Sequence, residues 1–513
     1  MVEPNEPRRP RITLFNEGTY PVAKGGVSTW CDQLVTQLPD HDFQLVTVVG
    51  QERGSVWKLP DNVVSYRPVA MWDPPGRRRA LSLAATRAQR HRVDDALGVL
   101  WRAILPVGES PDLEPARNAL RAIALESPQR LSWLLAQRGS TEALLAAWVD
   151  HRRTRPTLPA LSGGDAAFVT RQTDRVLALL DADLPSADVL HVASNGTPAL
   201  LALVQHWRDG TPIVLTEHGV YLRERYLAVS AAQWPWVVRY AFMAFVRMIC
   251  RLAYADAAYI TPVSSFNERW ERRLGADPAR IQVIPNGVHP TDFPAVTSEP
   301  KVPTVSFVGR IDPLKDLRTL IDAFALVLEG LPDARLRIFG PTPVGNEAYR
   351  RGLEERVAQL RLADAVTFEG PISSSRPAFE AGHVVALSSI SEGLPFTVIE
   401  AMMSGRATVS TDVGGVAECT GRDGVAGVVV PARDPAAMAE ALTGLLTDGV
   451  RRRAMAAAAR ERALDRFTLS EVTAAYRSVY LAAVEPPFEG ATSREVRTRA
   501  RRCHVRAAAG VRR

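Results

Sequence analysis

Lysine is nearly absent from this 513-residue sequence. Only Lys24, Lys58, Lys301 and Lys315 occur among 62 basic residues. The bias toward arginine reads as background composition, yet it makes the two loop lysines, Lys24 and Lys315, stand out. Cysteine is scarce too. Cys31, Cys250, Cys419 and Cys503 lie far apart with no CxxC. That spacing excludes a disulfide scaffold and a zinc ribbon, and it fits a reducing, cytosolic compartment. No window reaches the roughly 18 uncharged apolar residues of a membrane span. The most apolar stretch, Trp234 to Ile260, is broken by Arg239, Arg247, Arg251 and Asp256. The opening MVEPNEPRRPRITLF offers no apolar run of signal-peptide length before the first strand-like segment. The net charge is +6, and residues 487–513, with eight arginines and two glutamates, account for all of it. The body is therefore near neutral, which argues against a nucleic-acid partner. With 46% hydrophobic and 23% charged residues the chain is globular and long enough for two or three domains.

Chain order indicates an α/β protein. Arg11 to Phe15 reads as a strand, Asn16 to Gly26 as a loop, VSTWCDQLVTQL as a helix and Phe43 to Gly50 as a second strand. This is the start of a doubly wound domain. From about residue 74 to 180 the rhythm breaks into Ala-, Leu- and Arg-rich helical spacing, read as a helical insertion. Strand–loop–helix order returns at DVLHVAS and TPIVLTEHG. Residues from about 290 to 302 are rich in Pro, Ser and Thr and lack periodicity, and 293–302 are expected to link a first domain, 1–292, to a second, 303–467. A C-terminal helix at 468–486 and an Arg-rich tail at 487–513, expected to be disordered, complete the chain. The concentrated tail suggests contact with an anionic membrane or acidic partner. Two such domains would face a cleft.

Four loops carry candidate chemistry. Lys24-Gly25-Gly26 precedes a helix, where glycines admit a ligand close to the backbone and free N–H groups attract an anion; the plain alternative is loop punctuation. Gly309 to Lys315 follows a strand. Its Arg310 fork and Lys315 point charge suit a departing diphosphate; two solvated cations is the plain reading. Glu392 and Glu400 are separated by seven residues. Pro395 fits the first turn of the helix between them, with the N–H groups of Phe396 and Thr397 open to a phosphate. Glu400 lies on an otherwise apolar helix, VIEAMM, where a carboxylate is costly unless bonded; sugar hydroxyls would serve. Thr216-Glu217-His218-Gly219 ends a strand, and a histidine there is either structural or part of a site. Asp181-Ala-Asp183 mimics a metal-binding DxD but lies before a strand rather than after one, so a helix-capping turn explains it better. Arg239, Met243, Arg247 and Arg251 form one helical stripe, read as a solvated face in preference to a lipid contact.

Together these loops resemble the retaining GT-B glycosyltransferases of the family-4 type. The R-x4-K pair (Arg310/Lys315) and the E-x7-E pair (Glu392/Glu400) occur in that family's order, between VIPNGV and STDVGGVAE. In the first half, EGTYPVAKGGVSTW, HVASNGTPALL and LTEHGVYLRER look like the PelF-type subgroup of exopolysaccharide enzymes. The resemblance implies two Rossmann-like domains and a cytoplasmic enzyme, with possible attachment to the inner membrane face. It implies transfer of a hexose, with retention, from a UDP-linked donor to a saccharide or lipid-linked acceptor. No cofactor or metal is implied, and a membrane polysaccharide synthase is the implied partner. Arg310 and Lys315 would neutralise the diphosphate, Glu392 would contact the donor hexose and His218 would line its pocket. Gly25 and Gly26 would approach the phosphates, Ile372 would sit beside the base and Glu400 would hold the ribose. Many relatives carry glycine where this chain has Pro395, which removes one backbone N–H contact. The alternatives are transfer to a lipid or small metabolite, and a non-catalytic nucleotide-sugar-binding subunit.

Overall fold

The structure, a computed structural model, describes residues 8–51, 54–71, 87–106, 108, 112–126, 131–135 and 139–484. The Arg-rich tail and Cys503 lie outside them. The chain divides into two compact units. The first takes the described residues up to 262, then 268–282 and 476–484; the second takes 263–267 and 283–475.

The first unit is built on six parallel strands: β1 (Arg11–Glu17), β2 (Asp42–Val49), β3 (Val63–Ala70), β4 (Val189–Val192), β5 (Ile213–Leu215) and β6 (Tyr259–Ile260). Their order is β3-β2-β1-β4-β5-β6. The inner strands β1, β2 and β4 are buried almost throughout, as helices on both faces of a parallel sheet require. Polar residues inside are paired: Thr13 donates to Gln44 at 2.9 Å and Asn16 to Thr47 at 3.1 Å. The expected helical insertion lies between β3 and β4. Its helices Arg87–Ile104, Gly139–Thr154 and Gly163–Leu177 bury Trp101, Trp148 and Val169 in one core with Val46 and Val192 of the sheet and Phe245 of helix Trp236–Asp256. The insertion thus belongs to the first unit's core rather than forming a domain of its own.

The second unit repeats the plan with β7 (Thr304–Val308), β8 (Arg335–Phe339), β9 (Val366–Gly370), β10 (Val384–Leu387), β11 (Ala407–Thr411) and β12 (Val428–Val430). The order is β12-β11-β10-β7-β8-β9. In both sheets the winding reverses beside the unit's first strand, between β1 and β4 and between β7 and β10. Ligands of open α/β sheets bind at the carboxyl ends of strands flanking such a reversal.

Several expectations are corrected. Residues 293–302 are not a free linker. The N–H of Val296 donates to the Ser404 carbonyl at 2.9 Å, Arg460 binds the Phe293 carbonyl at 2.9 Å and Glu299 pairs with Arg452 at 2.7 Å. Their lack of periodicity marks an extended path fixed by long-range contacts, and the division falls near 282 instead. The last helix, Leu469–Val484, is shared by the two units, with Tyr476 and Tyr480 belonging to the first. The arginine stripe of helix Trp236–Asp256 is not a solvated face. Arg251 is 8% exposed, and Arg247 donates to the Gly108 carbonyl at 2.8 Å. Asp181 does cap a helix, but a distant one: it accepts the N–H of Leu131, the first residue of Leu131–Leu135, at 3.2 Å. Among the described residues no helix is long and apolar enough to cross a membrane.

Candidate active site

In the second unit the two motif loops leave β7 and β10, on either side of the winding reversal. Gly309 and Ile311 are fixed by N–H bonds to the carbonyls of Phe339 and Pro341 at 3.0 and 2.9 Å. Asp312 caps the single turn Pro313–Lys315 through the N–H of Leu314 at 2.9 Å. Asp316, at φ 44°, then caps helix Leu317–Gly330, bonding the Thr319 hydroxyl at 2.6 Å. A tight turn leading into a capped helix is what projects Lys315 beyond the sheet edge.

The two loops are stitched together. Ser388 donates to the Lys315 carbonyl at 2.7 Å, and the N–H of Ile390 to the Leu314 carbonyl at 2.9 Å. Lys315 Nζ lies 2.5 Å from Glu392 Oε1, which also accepts from the Ser389 hydroxyl at 2.5 Å. The sequence placed Lys315 and Glu392 in separate roles; the fold makes them one ion pair. Arg310, half exposed, makes only a long 3.9 Å ion pair with Asp312.

Helix Phe396–Met403 follows directly. Pro395 is its N-cap rather than part of its first turn, at φ −73°, and no side chain caps this end. The first helical bonds return to the Pro395 carbonyl from Val398 and Ile399. The N–H groups of Phe396 and Thr397 precede them, as an anion-binding helix end requires. The Thr397 hydroxyl donates to the Val308 carbonyl at 3.2 Å, tying this helix to β7. One and a half turns on, Glu400 accepts from the Ser375 hydroxyl at 2.6 Å. Burial raises the pKa of Glu400, and the Ser375 bond offsets part of that. Ser375 shares the loop after β9 with half-buried Ile372, so this bond ties that loop to the helix of Glu400.

Sequence reasoning missed the parts that set this geometry. Gly414, at φ +58°, is needed because a Cβ would lie 1.8 Å from the Glu392 carbonyl oxygen. The N–H of Gly415 donates to the Gly393 carbonyl at 2.6 Å, and Asn286 of VIPNGV to the Leu394 carbonyl at 2.7 Å. The motifs flanking the E-x7-E pair are thus the brackets that hold its loop. The consecutive Gly-Gly and Ser-Ser pairs were the available signal.

In the first unit, helix Gly26–Gln37 begins after Gly25, with no side-chain cap. Gly25 has φ 169°, an extended value open to any residue, and a Cβ there would meet nothing within 4 Å. No internal packing demands a glycine at 25. Trp30, one turn into the helix, packs edge-on to His218 at 4.7 Å. His218 Nε2 is buried with no hydrogen-bond partner, and burial pushes the imidazole down to about 3, so it is neutral at pH 7. The fold therefore gathers Gly25, Gly26 and His218 through Trp30. Behind them His191 bonds Tyr480 at 2.5 Å and Thr216 at 2.8 Å. Glu217, next to His218, is fully buried, accepts from Tyr254 at 2.6 Å and lies against buried Glu271. Burial lifts Glu217 to about 7, while burial and the Glu217 charge raise Glu271 well above the usual carboxylate range. Nothing in the sequence pattern announced this acid pair. Among the described residues no group of three or more His, Cys, Asp or Glu is arranged to hold a metal ion.

Comparison with known proteins places this geometry in a family. Residues 10–279, over half of the chain, match the domain of unknown function DUF3492, and residues 302–448 match the glycosyl transferases group 1. The D-inositol 3-phosphate glycosyltransferase of Nocardia farcinica is 37% identical over 195 residues, covering 35% of this chain and 43% of that protein. The chain thus spans about two fifths of the length of this relative. The phosphatidyl-myo-inositol mannosyltransferase of Mycobacterium leprae is 31% identical over 314 residues, 59% of this chain and 74% of that protein. Among solved structures, sucrose-phosphate synthase of Thermosynechococcus elongatus has a TM-score of 0.61 at 18% identity, covering 92% of this chain and 98% of that one. Anabaena HepE, solved with UDP and glucose, has a TM-score of 0.57 at 14% identity, covering 91% and 98%. The two six-stranded parallel sheets with flanking helices match the GT-B fold of these neighbours. With its DUF3492 first half and its Arg310/Lys315 and Glu392/Glu400 loops on the second sheet, the chain belongs to the group 1 glycosyltransferases of GT-B fold.

Proposed function

We propose that the chain is a retaining glycosyltransferase of the PelF type, moving a hexose from a UDP-linked donor to an acceptor hydroxyl in exopolysaccharide assembly. One observation carries this reading. Arg310, the Lys315–Glu392 pair and the uncapped helix start at Phe396 converge on one winding reversal of the second sheet. Cations and open N–H groups around a carboxylate suit a diphosphate beside a sugar. HepE was solved with UDP-glucose, and the same donor class is proposed here.

Arg310, Lys315 and the N–H groups of Phe396 and Thr397 take up charge on the departing diphosphate, so no metal or cofactor is required by the scheme. Glu400 accepts from the ribose hydroxyls, and Ile372 packs on the base. Glu392 accepts from the donor hexose. The bond from the anomeric carbon to the phosphate oxygen breaks, and its electron pair leaves with the diphosphate. The acceptor oxygen bonds to that carbon on the same face, and its proton passes to the leaving phosphate. The PelF assignment rests on the first-half motifs and the helical insertion, and a cytoplasmic site and a membrane synthase partner follow from it.

The test is UDP release from a panel of UDP-hexoses, with the anomeric configuration of any product read by NMR. Inverted product would remove the retaining mechanism. UDP binding seen as a raised melting temperature, with no release on any donor or acceptor, would favour a non-catalytic nucleotide-sugar-binding subunit.

A further inference from the structure

A second built site lies in the first unit, at the carboxyl edge of the sheet beside β1 and β4. It is a pocket of about 280 Å³. Polar groups converge at one end. Glu17, the last residue of β1, accepts from Arg225 at 2.8 Å and from the Tyr221 hydroxyl at 3.3 Å. The Arg225 guanidinium stacks over the Tyr221 ring at 4.7 Å. Gly196, at φ +81°, exists to admit that ring, since a Cβ would lie 2.1 Å from it. A carboxylate has about four acceptor positions, so Glu17 can take further hydrogen bonds from hydroxyls while holding both partners.

One wall is apolar, with Trp234, Phe242, Phe245, Val246 and Ile249, while Gln172 and Arg175 also line the pocket. Aromatic and aliphatic walls with a few convergent polar groups at one end are the usual make-up of a small-molecule site. Helix Tyr221–Ala231 roofs the pocket with Tyr221, Arg225, Ala228 and Val229.

We propose that this pocket binds an amphiphile: a hydroxylated head at Glu17, Tyr221 and Arg225, and an alkyl or aryl body along the Trp234–Phe242 wall. Resting on the glycosyltransferase reading, this ligand is the acceptor, so the substrate class is a sugar or polyol carried on an apolar group. The pocket and His218 lie on the same edge of the first sheet, three residues apart at Tyr221.

The test is calorimetric titration of the full chain with hexyl β-D-glucoside and with methyl β-D-glucoside. The hexyl compound should bind at least tenfold more tightly, since two or three buried methylenes suffice for that factor. Ala228→Trp, at the exposed mouth, should erase the difference. Equal affinity of the two glycosides for the unmodified chain would overturn the proposal. So would a preference that survives in a folded Ala228→Trp variant. Independently of any variant, a hexyl glucoside with a diazirine at the chain end should label residues 225–249 on photolysis, and labelling confined elsewhere would refute the site. UDP titrated in parallel separates the two readings. Loss of UDP binding would sink the glycosyltransferase assignment and leave the amphiphile pocket standing, whereas UDP binding without the hexyl preference would do the reverse.

Discussion

The Lys315–Glu392 pair makes a counterintuitive prediction: removing a carboxylate from the donor site should tighten nucleotide binding while slowing turnover. The side chains are 21% and 11% exposed. Such a part-buried pair is worth more than a surface bridge and less than a dry one, about 1–2 kcal/mol. Lys315 cannot serve a diphosphate fully while it is held by Glu392, so that attraction is subtracted from its affinity for phosphate. Glu392→Gln keeps the shape and the Ser389 contact but removes the competing charge. UDP should then bind roughly 5- to 30-fold more tightly. The same change weakens the bond to the donor hexose as its ring becomes cationic. Losing a hydrogen bond to a charged group costs about 1.5–3 kcal/mol, so kcat should fall roughly 10- to 150-fold. The assay pairs UDP calorimetry with steady-state kinetics across donor concentration, after a melting curve confirms folding. Weaker UDP binding with unchanged kcat would refute the reasoning and make Glu392 a nucleotide anchor.

Arg310→Ala should lower kcat by about 10²-fold, the lower end for one electrostatic stabiliser because the side chain is half exposed; steady-state kinetics decides. Glu400→Gln should mainly raise the donor KM, by roughly tenfold or more, and Ser375→Ala should shift it in the same direction by less, since Ser375 only orients the carboxylate. Gly414→Ala should lower the melting temperature by several degrees, because the Cβ collides with the Glu392 carbonyl and the backbone is left-handed; a wild-type melt would show the loop to be pliant. The Glu217–Glu271 pair should make stability depend on pH. A carboxyl raised to about 7 in the folded state contributes stability that is present below its unfolded value of 4.5 and lost as pH rises through about 7. His191 and His218, both depressed to about 3, act in the opposite sense as pH rises from 3 to 6.5. They are common to both proteins and cancel in a comparison with Glu271→Gln. That variant should gain melting temperature relative to the wild type between pH 5 and 8, and a constant difference would show that the pair does not share a proton.

The sequence by itself determined the α/β alternation, because buried parallel strands read as short apolar runs separated by helical periods, as in TVSFV and VVAL. It also determined which side chains could meet a sugar nucleotide, since Arg310, Lys315 and Glu392 lie in loops and Glu400 on an otherwise apolar helix, where no packing rule calls for a charge. Linear spacing cannot report what lies opposite. Lys315 and Glu392 are 77 residues apart in sequence and 2.5 Å apart in space only because β7 and β10 are neighbours in the sheet. The path of residues 293–302, the burial of Arg251 and the meeting of Glu217 with Glu271 were decided the same way, by long-range packing that leaves no local period. The roles of Gly414 and Gly196 belong there too: a glycine is legible as a turn, but only the tertiary structure shows the carbonyl or ring that fills the space of its missing side chain.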